Sequence, residues 1–381
     1  MEREPNYIMP GIKKNIKDNI PFTIGIEEEY MICDSEGNLI NKADDIMTAL
    51  DGHMRDRFSY ELIQSEIESN TSICQTVDES IDELLELRSY LKKIGNKHDY
   101  NIGISGTHPT ALPSKQEFIQ NESYNWVKDN LRYYASRNIT FSNHFHIGVN
   151  NLDTAIRITN SLRKWTAPLL ALSSNSPFFE GIHTGFHSSR TMNFGNFPRT
   201  HIPPKIKSEK DFLNLISILK DSDAIAKDRH IWWKIRPHTD YGTIEFRMCD
   251  AQRSIKRVKM LAAICQALVY QSSIDLDNNQ LEEDYDYELL LDSVWKACRF
   301  GLEGKISNFA DNGVISIKNS VLDMINYAKE GLCFFNNLDI IETVEDILSN
   351  GTEHDLQLKY LEKYSMRDLK LYLMDQVDYS L

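Results

Sequence analysis

Alternation of apolar and polar residues predicts strands in the first two thirds of the chain. In residues 22–30 (FTIGIEEEY), side chains at i and i+2 share a face of a strand. Ile24 and Ile26 therefore point one way, while Glu27 and Glu29 point the other. Five further stretches are predicted strands: 59–74, 101–108, 139–150, 231–236 and 241–250. In 241–250, Thr243, Glu245, Arg247 and Cys249 are expected on one face.

Apolar residues at the spacing i, i+3, i+4 predict the helices. They cover residues 43–51, 76–98, 121–137, 153–173, 208–221, 254–273, 284–300, 317–329, 339–349 and 353–375. Strands with one apolar and one polar face favour an antiparallel sheet that has helices on its back and an open front. The predicted class is α+β, with a loose lead-in over 1–20 and one domain over 21–381, whose C-terminal third (about 305–381) is helical. Residues 175–204 are too many for a simple connecting loop, so we predict that this segment has a function.

The polar faces of these strands carry acidic and imidazole side chains, which we expect on the front of the sheet. They are Glu27, Glu29, Glu66 or Glu68, His144, His146, Glu245 and Arg247. Two carboxylates about 5–7 Å apart on one pleat repel each other, so a positive charge is expected between them. A shell rich in glutamate with one or two imidazoles suits Mg2+ or Mn2+ better than zinc.

Each element of this set has an alternative structural explanation. The glutamates of β-strand 22–30 could meet Lys or Arg of a neighbouring strand, and His144 with His146 could be hydrogen-bonded strand histidines. Glu245 with Arg247 could be an ordinary cross-strand charge pair. Their joint occurrence on the same parity of at least three predicted strands favours a metal site.

Composition excludes several other classes of function. The chain has 381 residues, 41% hydrophobic and 26% charged, with a formal net charge of -14. Such an acidic balance argues against nucleic acid as a partner. No apolar run of the length of a membrane span is present, and the N-terminus lacks a hydrophobic signal core, so we expect no membrane partner and a cytoplasmic protein. Six cysteines without CxxC spacing are expected to be reduced and mostly buried.

Seven sequence motifs carry a resemblance to a known family. They are GIEEEY, ISGTHP, HFHIGV, ALSSNSPFFEG followed by SSR at 188–190, IRPH, YGTIEFRMCD and ACRFGLEG. In this order and spacing, over residues 20 to 305, the chain resembles the carboxylate-amine ligases of glutamate-cysteine ligase family 2. The resemblance implies a fold like the catalytic domain of glutamine synthetase, in which a curved antiparallel sheet forms an open funnel.

The resemblance also implies the reaction and its participants. ATP would phosphorylate a side-chain carboxylate, that of glutamate in this family, and an amine such as cysteine would attack the acyl phosphate to form a γ-glutamyl amide. The substrates would be small molecules, the cofactor Mg2+ with Mn2+ as the alternative, and the assembly a homo-oligomer, expected to be a dimer. The identity of the amine and of the catalytic base is left open.

The same resemblance implies roles for particular residues. The metal ligands would be Glu27, Glu29, Glu68, His146 and Glu245. Arg247, with Glu245, would be catalytic and face the transferred phosphoryl group or the substrate carboxylate. His146, Arg190 and Arg236 would bind nucleotide phosphate or carboxylate. Glu28 departs from the pattern, because it lies on the apolar parity; we expect it to be structural and paired with a buried base, or to lie where the strand twists out.

Three other functions are consistent with parts of the pattern. The first is a phosphotransferase of the same fold that does not ligate. The second is a metal-binding jelly roll without a nucleotide, which the long predicted helices disfavour. The third is a non-catalytic relative that binds nucleotide and metal, although none of the matched positions is missing.

Overall fold

The structure is a computed structural model that describes residues 21–375, apart from the side chain of Ser123. The predicted lead-in over 1–20 lies outside the described residues. The strands are β1 (Ile24–Cys33), β2 (Phe58–Tyr60), β3 (Glu66–Asn70), β4 (Asn101–Gly103), β5 (Ser142–Gly148), β6 (Phe178–Phe179), β7 (Ile182–His183), β8 (Ile235–His238), β9 (Thr243–Asp250), β10 (Lys305–Asn308) and β11 (Gly313–Ser316).

Seven of these strands form one antiparallel sheet. Its order is β2-β3-β1-β5-β9-β8, and β4 pairs with the end of β1. The sheet is open, because β2 and β8 are at its two edges. The remaining strands form two short hairpins, β6-β7 and β10-β11. The predicted antiparallel sheet is therefore confirmed.

Residues 21–375 also form fifteen α-helices, several of which cover the back of the sheet. They are α1 (Ala43–Ala49), α2 (Gly52–Arg55), α3 (Val77–His98), α4 (Glu122–Leu131), α5 (Tyr133–Ser136), α6 (Leu152–Leu162), α7 (Thr166–Leu172), α8 (Ser189–Phe194), α9 (Glu209–Asp221), α10 (Ile255–Asp277), α11 (Tyr287–Phe300), α12 (Ile317–Phe334), α13 (Ile340–Asn350), α14 (Glu353–Leu361) and α15 (Met366–Met374). Helix α10 is apolar along most of its length and packs against α6, α12 and α13 and against the sheet.

The apolar side chains of the strands face the helices behind the sheet and form the core. Ile24 and Ile26 of β1, Phe145 of β5 and Phe246 of β9 are buried in one cluster together with α6, α7 and α10. A second cluster lies around the other end of β1, where Tyr30 packs with α1, the C-terminal half of α3 and α15. The side chains at the alternate positions of the strands point to the front of the sheet.

Four predicted elements are divided in the structure, one of them being helix 353–375, which forms α14 and α15. Residues 59–74 were expected to form one strand, but β2 and β3 form a hairpin in which Ser59 lies opposite Glu68. The predicted helix 121–137 is interrupted at Arg132, whose φ of 50° is not helical. The predicted helix 153–173 contains a 3-10 turn between α6 and α7. The hairpin β10-β11 was not predicted.

A β-bulge in β9 overturns the expected position of Cys249. On β5 and β9, Phe145 lies opposite Phe246, whereas Asn143 lies opposite Cys249, so β9 has one extra residue between these pairs. An extra residue reverses the alternation of faces beyond it. Cys249 is therefore buried in the core on the back, and Asp250 takes the parity of the front.

None of the helices in residues 21–375 has both the length and the apolar character that crossing a membrane requires. All six cysteines are free, and five of them are buried, as expected; Cys333 is exposed.

Candidate active site

Strand β1 positions two carboxylates on the front of the sheet. Glu27 lies opposite His144 of β5, and Glu29 lies opposite Glu68 of β3. The two oxygens of Glu27 contact two imidazoles, His144 Nδ1 at 2.7 Å and His146 Nε2 at 3.1 Å. Burial raises the pKa of Glu27, but the charge of His146 and hydrogen bonds from both histidines outweigh it and hold the pKa well below its usual value.

Four carboxylates crowd the side of the front towards β2 and β3. They belong to Glu29, Glu61, Glu66 and Glu68. Burial, followed by the charge of Glu29, raises the pKa of Glu61 to about 8. The pKa values of Glu66 and Glu68 lie well above their usual value, because both groups are buried among other carboxylates. We call these four residues the acidic cluster.

Sequence reasoning missed Glu61. A continuous strand over 59–74 would place it on the parity of Ile63 and Ile67, away from the front. The turn between β2 and β3 reverses the chain, and the Glu61 carboxylate then lies near Glu68. The short segment between Tyr60 and Glu66 carries no strong turn signal, so this hairpin could not be identified from local residues.

The acidic cluster and the neighbouring histidines fit a divalent cation. Three groups of ligand atoms each lie within 4.8 Å of one another: Glu29, Glu61 and Glu68; Glu27, Glu68 and His144; and Glu27, His146 and Glu245. Carboxylate oxygens are the ligands that Mg2+ prefers. Buried carboxylates that face mainly each other need a positive charge to remain ionised. The donor set and its unbalanced charge are both consistent with a bound metal.

Besides lying near Glu27 and His146, Glu245 binds two arginines. Its Oε2 accepts hydrogen bonds from Arg236 Nε at 2.7 Å and Arg236 Nη2 at 2.5 Å, and its Oε1 accepts from Arg247 Nη1. Burial raises the pKa of Glu245, but the charges of Arg236 and Arg247 hold it well below its usual value. Glu245 thus orients two arginines, and its Oε1 also lies 3.7 Å from His146 Nε2.

Helix α8 brings Arg190 to the same surface from the long segment 175–204. Its Nη2 donates to the backbone oxygen of Arg247 at 3.1 Å, and its Nη1 donates to that of Met248 at 3.3 Å. Asp250 holds the segment in place, because it accepts hydrogen bonds from Ser176 Oγ at 2.6 Å and Ser188 Oγ at 2.8 Å. The Nε of Arg190 is buried and has no hydrogen-bond partner among the described residues.

These groups surround one open cavity of about 220 Å³. Strands β1 and β3 and the turn after β2 contribute the acidic cluster to its lining, strands β8 and β9 contribute Arg236 and Arg247, and α8 contributes Arg190. A third part of the wall is aromatic and is formed by Tyr124, Phe194, Phe197 and Trp232. All the predicted site residues therefore converge: Glu27, Glu29, Glu68, Arg190, Arg236 and Arg247 line the cavity, and His146 and Glu245 contact its lining. Their chemical roles remain predictions.

Solved structures with the same fold are known. The chain aligns with a glutamate–cysteine ligase of Francisella tularensis in complex with AMP at a TM-score of 0.73 and 12% identity, over 94% of this chain and 88% of that chain. It also aligns with a bifunctional glutathione synthetase of Pasteurella multocida at a TM-score of 0.63 and 13% identity, over 94% of this chain and 53% of that chain. At these identities the likeness shows the fold.

Sequence relatives show the class. A protein of Solibacter usitatus named "Putative glutamate–cysteine ligase 2" is 30% identical over 94% of both chains. A protein of the same name from Chloroflexus aurantiacus is 34% identical over 89% of this chain and 87% of its own. Together with the fold, they define a carboxylate-amine ligase, an ATP-dependent enzyme that forms carbon–nitrogen bonds. The chain belongs to glutamate-cysteine ligase family 2, whose sequence model matches residues 23–367.

Proposed function

We propose that the protein joins the γ-carboxylate of glutamate to cysteine or another amine through an acyl phosphate, at the expense of ATP. One observation carries the proposal: a single cavity is lined both by clustered carboxylates and by three arginines. Phosphoryl transfer requires mainly positioning and neutralisation of phosphate charge, and this cavity supplies groups for both. The AMP bound to the Francisella tularensis ligase supports adenine nucleotide use by this fold.

The acidic cluster, together with Glu27 and His146, would hold Mg2+, with Mn2+ as the alternative. A bound divalent cation would neutralise the phosphate oxygens of the nucleotide. His144 supports this arrangement, because its Nδ1 contacts Glu27 and its Nε2 lies 2.9 Å from Ser142 Oγ. Burial, followed by the charge of Arg247, lowers the pKa of His144. Its contact with Glu27 would orient that carboxylate.

The arginines would act on the groups that react. Arg247 is held by Glu245 and faces the cavity, where it would stabilise the transferred phosphoryl group. A carboxylate oxygen of glutamate attacks the γ-phosphorus, and ADP leaves. The amine nitrogen then attacks the carbonyl carbon and loses a proton, and phosphate leaves as the amide forms. Arg236 and Arg190 would bind phosphate or carboxylate oxygens.

Coupled ADP release tests this proposal. Glutamate and Mg2+ are kept constant while a panel of amino acids and amines is scanned, and the amide product is identified by mass spectrometry. We expect ADP release to require an amine and to stop when the metal is chelated. ADP formation without an amine, accompanied by a stable phosphorylated product, would instead identify a phosphotransferase.

The assembly and the cellular location belong to the same proposal. We expect a homodimer, which light scattering of the purified protein tests by its mass. Because ATP and reduced thiols are both cytoplasmic resources, we expect the reaction to take place in the cytoplasm.

A further inference from the structure

Four aromatic side chains of the cavity lining form a connected surface, which we call the aromatic wall. They are Tyr124, Phe194, Phe197 and Trp232. The ring of Phe197 lies 5.5 Å from that of Phe194 and 6.0 Å from that of Trp232, measured between ring centroids. The Tyr124 hydroxyl donates to the backbone oxygen of Tyr60 at 2.5 Å, which fixes the polar end of that side chain.

A second layer of rings supports the wall. His230 stacks on Trp232 at 5.5 Å between ring centroids, and Trp126 stacks on His230 at 4.3 Å. Burial lowers the pKa of His230 to about 4, so this stack carries no charge at neutral pH. The wall is therefore an uncharged surface whose rings are positioned by their neighbours.

The wall leaves apolar surface open inside a cavity that is otherwise lined by charged groups. Phe197 is buried, but Tyr124, Phe194 and Trp232 are only half-buried. Contiguous apolar surface that remains accessible is typical of a binding site. Ligand pockets also combine apolar and aromatic walls with a few polar groups that fix the orientation of the ligand. We therefore expect a ligand group to cover this surface.

The wall begins next to the arginines of the cavity. Arg190 and Phe194 are four residues apart in α8, a spacing that places two side chains on one face of a helix, with about 5–6 Å between their Cβ atoms. Arg190 Nη2 donates to the backbone oxygen of Arg247 at 3.1 Å. Trp232 precedes β8, which carries Arg236. The ligand group that covers the wall would therefore lie beside the arginines.

This position favours the amine over the adenine base as the occupant. In the proposed reaction the amine nitrogen attacks a carbonyl carbon next to the transferred phosphoryl group, so it has to come within about 3–3.5 Å of that carbon. Arg247 would stabilise the same phosphoryl group, which places the rest of the amine near the arginines. The adenine base is separated from the γ-phosphate by two further phosphates and a ribose, so it would lie farther away.

We propose that the aromatic wall binds the side chain of the amine substrate, and that this side chain carries an apolar ring. This inference rests on the proposed function and adds the chemical class of the amine to it. A side chain as small as that of cysteine would leave most of the wall exposed to water. A phenyl or indole ring covers far more of it, and it also makes the stacked or edge-to-face contacts that aromatic rings prefer.

Coupled ADP release with matched amines tests the inference. Glutamate, ATP and Mg2+ are kept constant, and kcat/KM is measured for two pairs that differ only by a phenyl ring: L-phenylalanine against L-alanine, and 2-phenylethylamine against ethylamine. L-Cysteine is the reference with a small side chain. In at least one pair we expect the amine with the ring to exceed both its partner and L-cysteine at least about tenfold, because burial of an aromatic ring is strongly favourable. A preference for L-cysteine or for the amines without a ring would overturn the inference.

Three variants locate the preference at the wall. Trp232→Leu and Phe194→Leu each replace a ring by a smaller apolar side chain. Each should lower kcat/KM about tenfold for the amine with the ring and change it by less than about twofold for its partner, because only the first contacts the wall. Trp232→Phe should keep most of the preference. If both leucine variants keep the wild-type ratio, the inference is wrong.

Phe334→Leu is the matched control for these variants. Phe334 lies on α12 and is 64% exposed. It does not line the cavity. The same chemical change at this position should leave the preference as it is in the wild type. An equal loss in Phe334→Leu would show that the effect does not come from the wall.

The adenine base is the alternative occupant, and it predicts a different result. If the wall held adenine, the leucine variants would raise KM for ATP and would lower kcat/KM equally for both amines of a pair. That outcome would overturn the inference, because the wall would then not distinguish one amine from another.

Failure of this inference can be distinguished from failure of the proposed function. If ADP release requires an amine but the ring gives no advantage, the proposed function stands and the inference fails. If no amine supports ADP release, the proposed function fails, and calorimetry of the same pairs with Mg2+ and a non-hydrolysable ATP analogue decides. Tighter binding of the amine with the ring, lost in Trp232→Leu, would support the site, and equal binding within each pair would reject it.

Discussion

Glu28 and Arg88 form a fully buried ion pair directly behind the acidic front. Arg88 Nε donates to Glu28 Oε2 at 2.7 Å, and Arg88 Nη2 donates to Glu28 Oε1 at 2.6 Å. Both side chains are 0% exposed. Asn143 of β5 donates to the same carboxylate, and Arg88 also donates to the backbone oxygen of Gln252. The pair therefore ties α3 to β1 and to the chain after β9, at the strand that carries Glu27 and Glu29.

Removing one member of this pair should destabilise the protein strongly. We expect Arg88→Met to lower the free energy of unfolding by about 3–5 kcal/mol, because it leaves the Glu28 carboxylate buried without a counter-ion. Urea denaturation followed by circular dichroism measures the loss. The double variant Glu28→Leu/Arg88→Met should lose less than the sum of the two single variants. Wild-type stability of Arg88→Met would show that the pair does not hold the strand.

Glu29→Gln should abolish turnover and leave the fold intact. The amide is a weaker ligand for a divalent cation than the carboxylate, and it also relieves repulsion within the acidic cluster. We expect at least a hundredfold loss of ADP release (a decrease of about 2.7 kcal/mol or more in transition-state stabilisation), with a Tm no lower than that of the wild type and weaker binding of Mg2+ in calorimetry.

Glu36→Gln is the matched control for this variant, because Glu36 is exposed and pairs with Arg367 on the surface. It should retain activity. Full activity of Glu29→Gln would contradict the assignment of Glu29 as a metal ligand.

Asp250→Asn should loosen the segment that carries Arg190. Asp250 accepts hydrogen bonds on both carboxylate oxygens, from Asn175 N–H, Ser176 and Ser188. An amide has one accepting oxygen, so one of these donors loses its acceptor, at a cost of about 1–3 kcal/mol in the free energy of unfolding. Substrate KM should rise as well, since Arg190 lines the cavity.

Denaturation and steady-state kinetics of Asp250→Asn measure the two effects separately. Asp284→Asn serves as the control, because Asp284 is an exposed residue that pairs with Lys205. If Asp250→Asn matches this control in both stability and KM, the carboxylate does not anchor the segment.

His108 should make stability fall on acidification. Its Nε2 donates to the backbone oxygen of Gly37 at 2.7 Å, and its Nδ1 accepts from the backbone N–H of Thr110 at 3.2 Å, which only the neutral ring can do. Burial lowers the pKa of His108 to about 4. The unfolded state therefore takes up the proton first, and stability is lost between pH 6.5 and pH 4, by up to about 3 kcal/mol.

Urea denaturation at a series of pH values tests this dependence. We expect the loss of stability between pH 6.5 and pH 4 to be smaller in His108→Gln than in the wild type, because glutamine does not titrate. Equal slopes in the two proteins would assign the acid sensitivity to other groups.

The alternating pattern of the sequence was enough to locate much of the candidate site. Side chains in a strand alternate with a period of two, a local property, so Glu27 and Glu29 could be assigned to one face and Ile24 and Ile26 to the other without any knowledge of neighbours. The polar parity of β5 and the first residues of β9 was predicted for the same reason. The apolar spacing of the C-terminal segments likewise predicted the helices that pack behind the sheet.

Contacts between distant residues were decided only by the tertiary structure. Arg88 is 60 residues from Glu28, and no local pattern identifies it as the buried base expected for that carboxylate. The turn that brings Glu61 to the front and the bulge that moves Cys249 to the back depend on strand pairing. Periodicity assigns a side chain to a face, whereas its partner is determined by packing and hydrogen bonding across the whole chain.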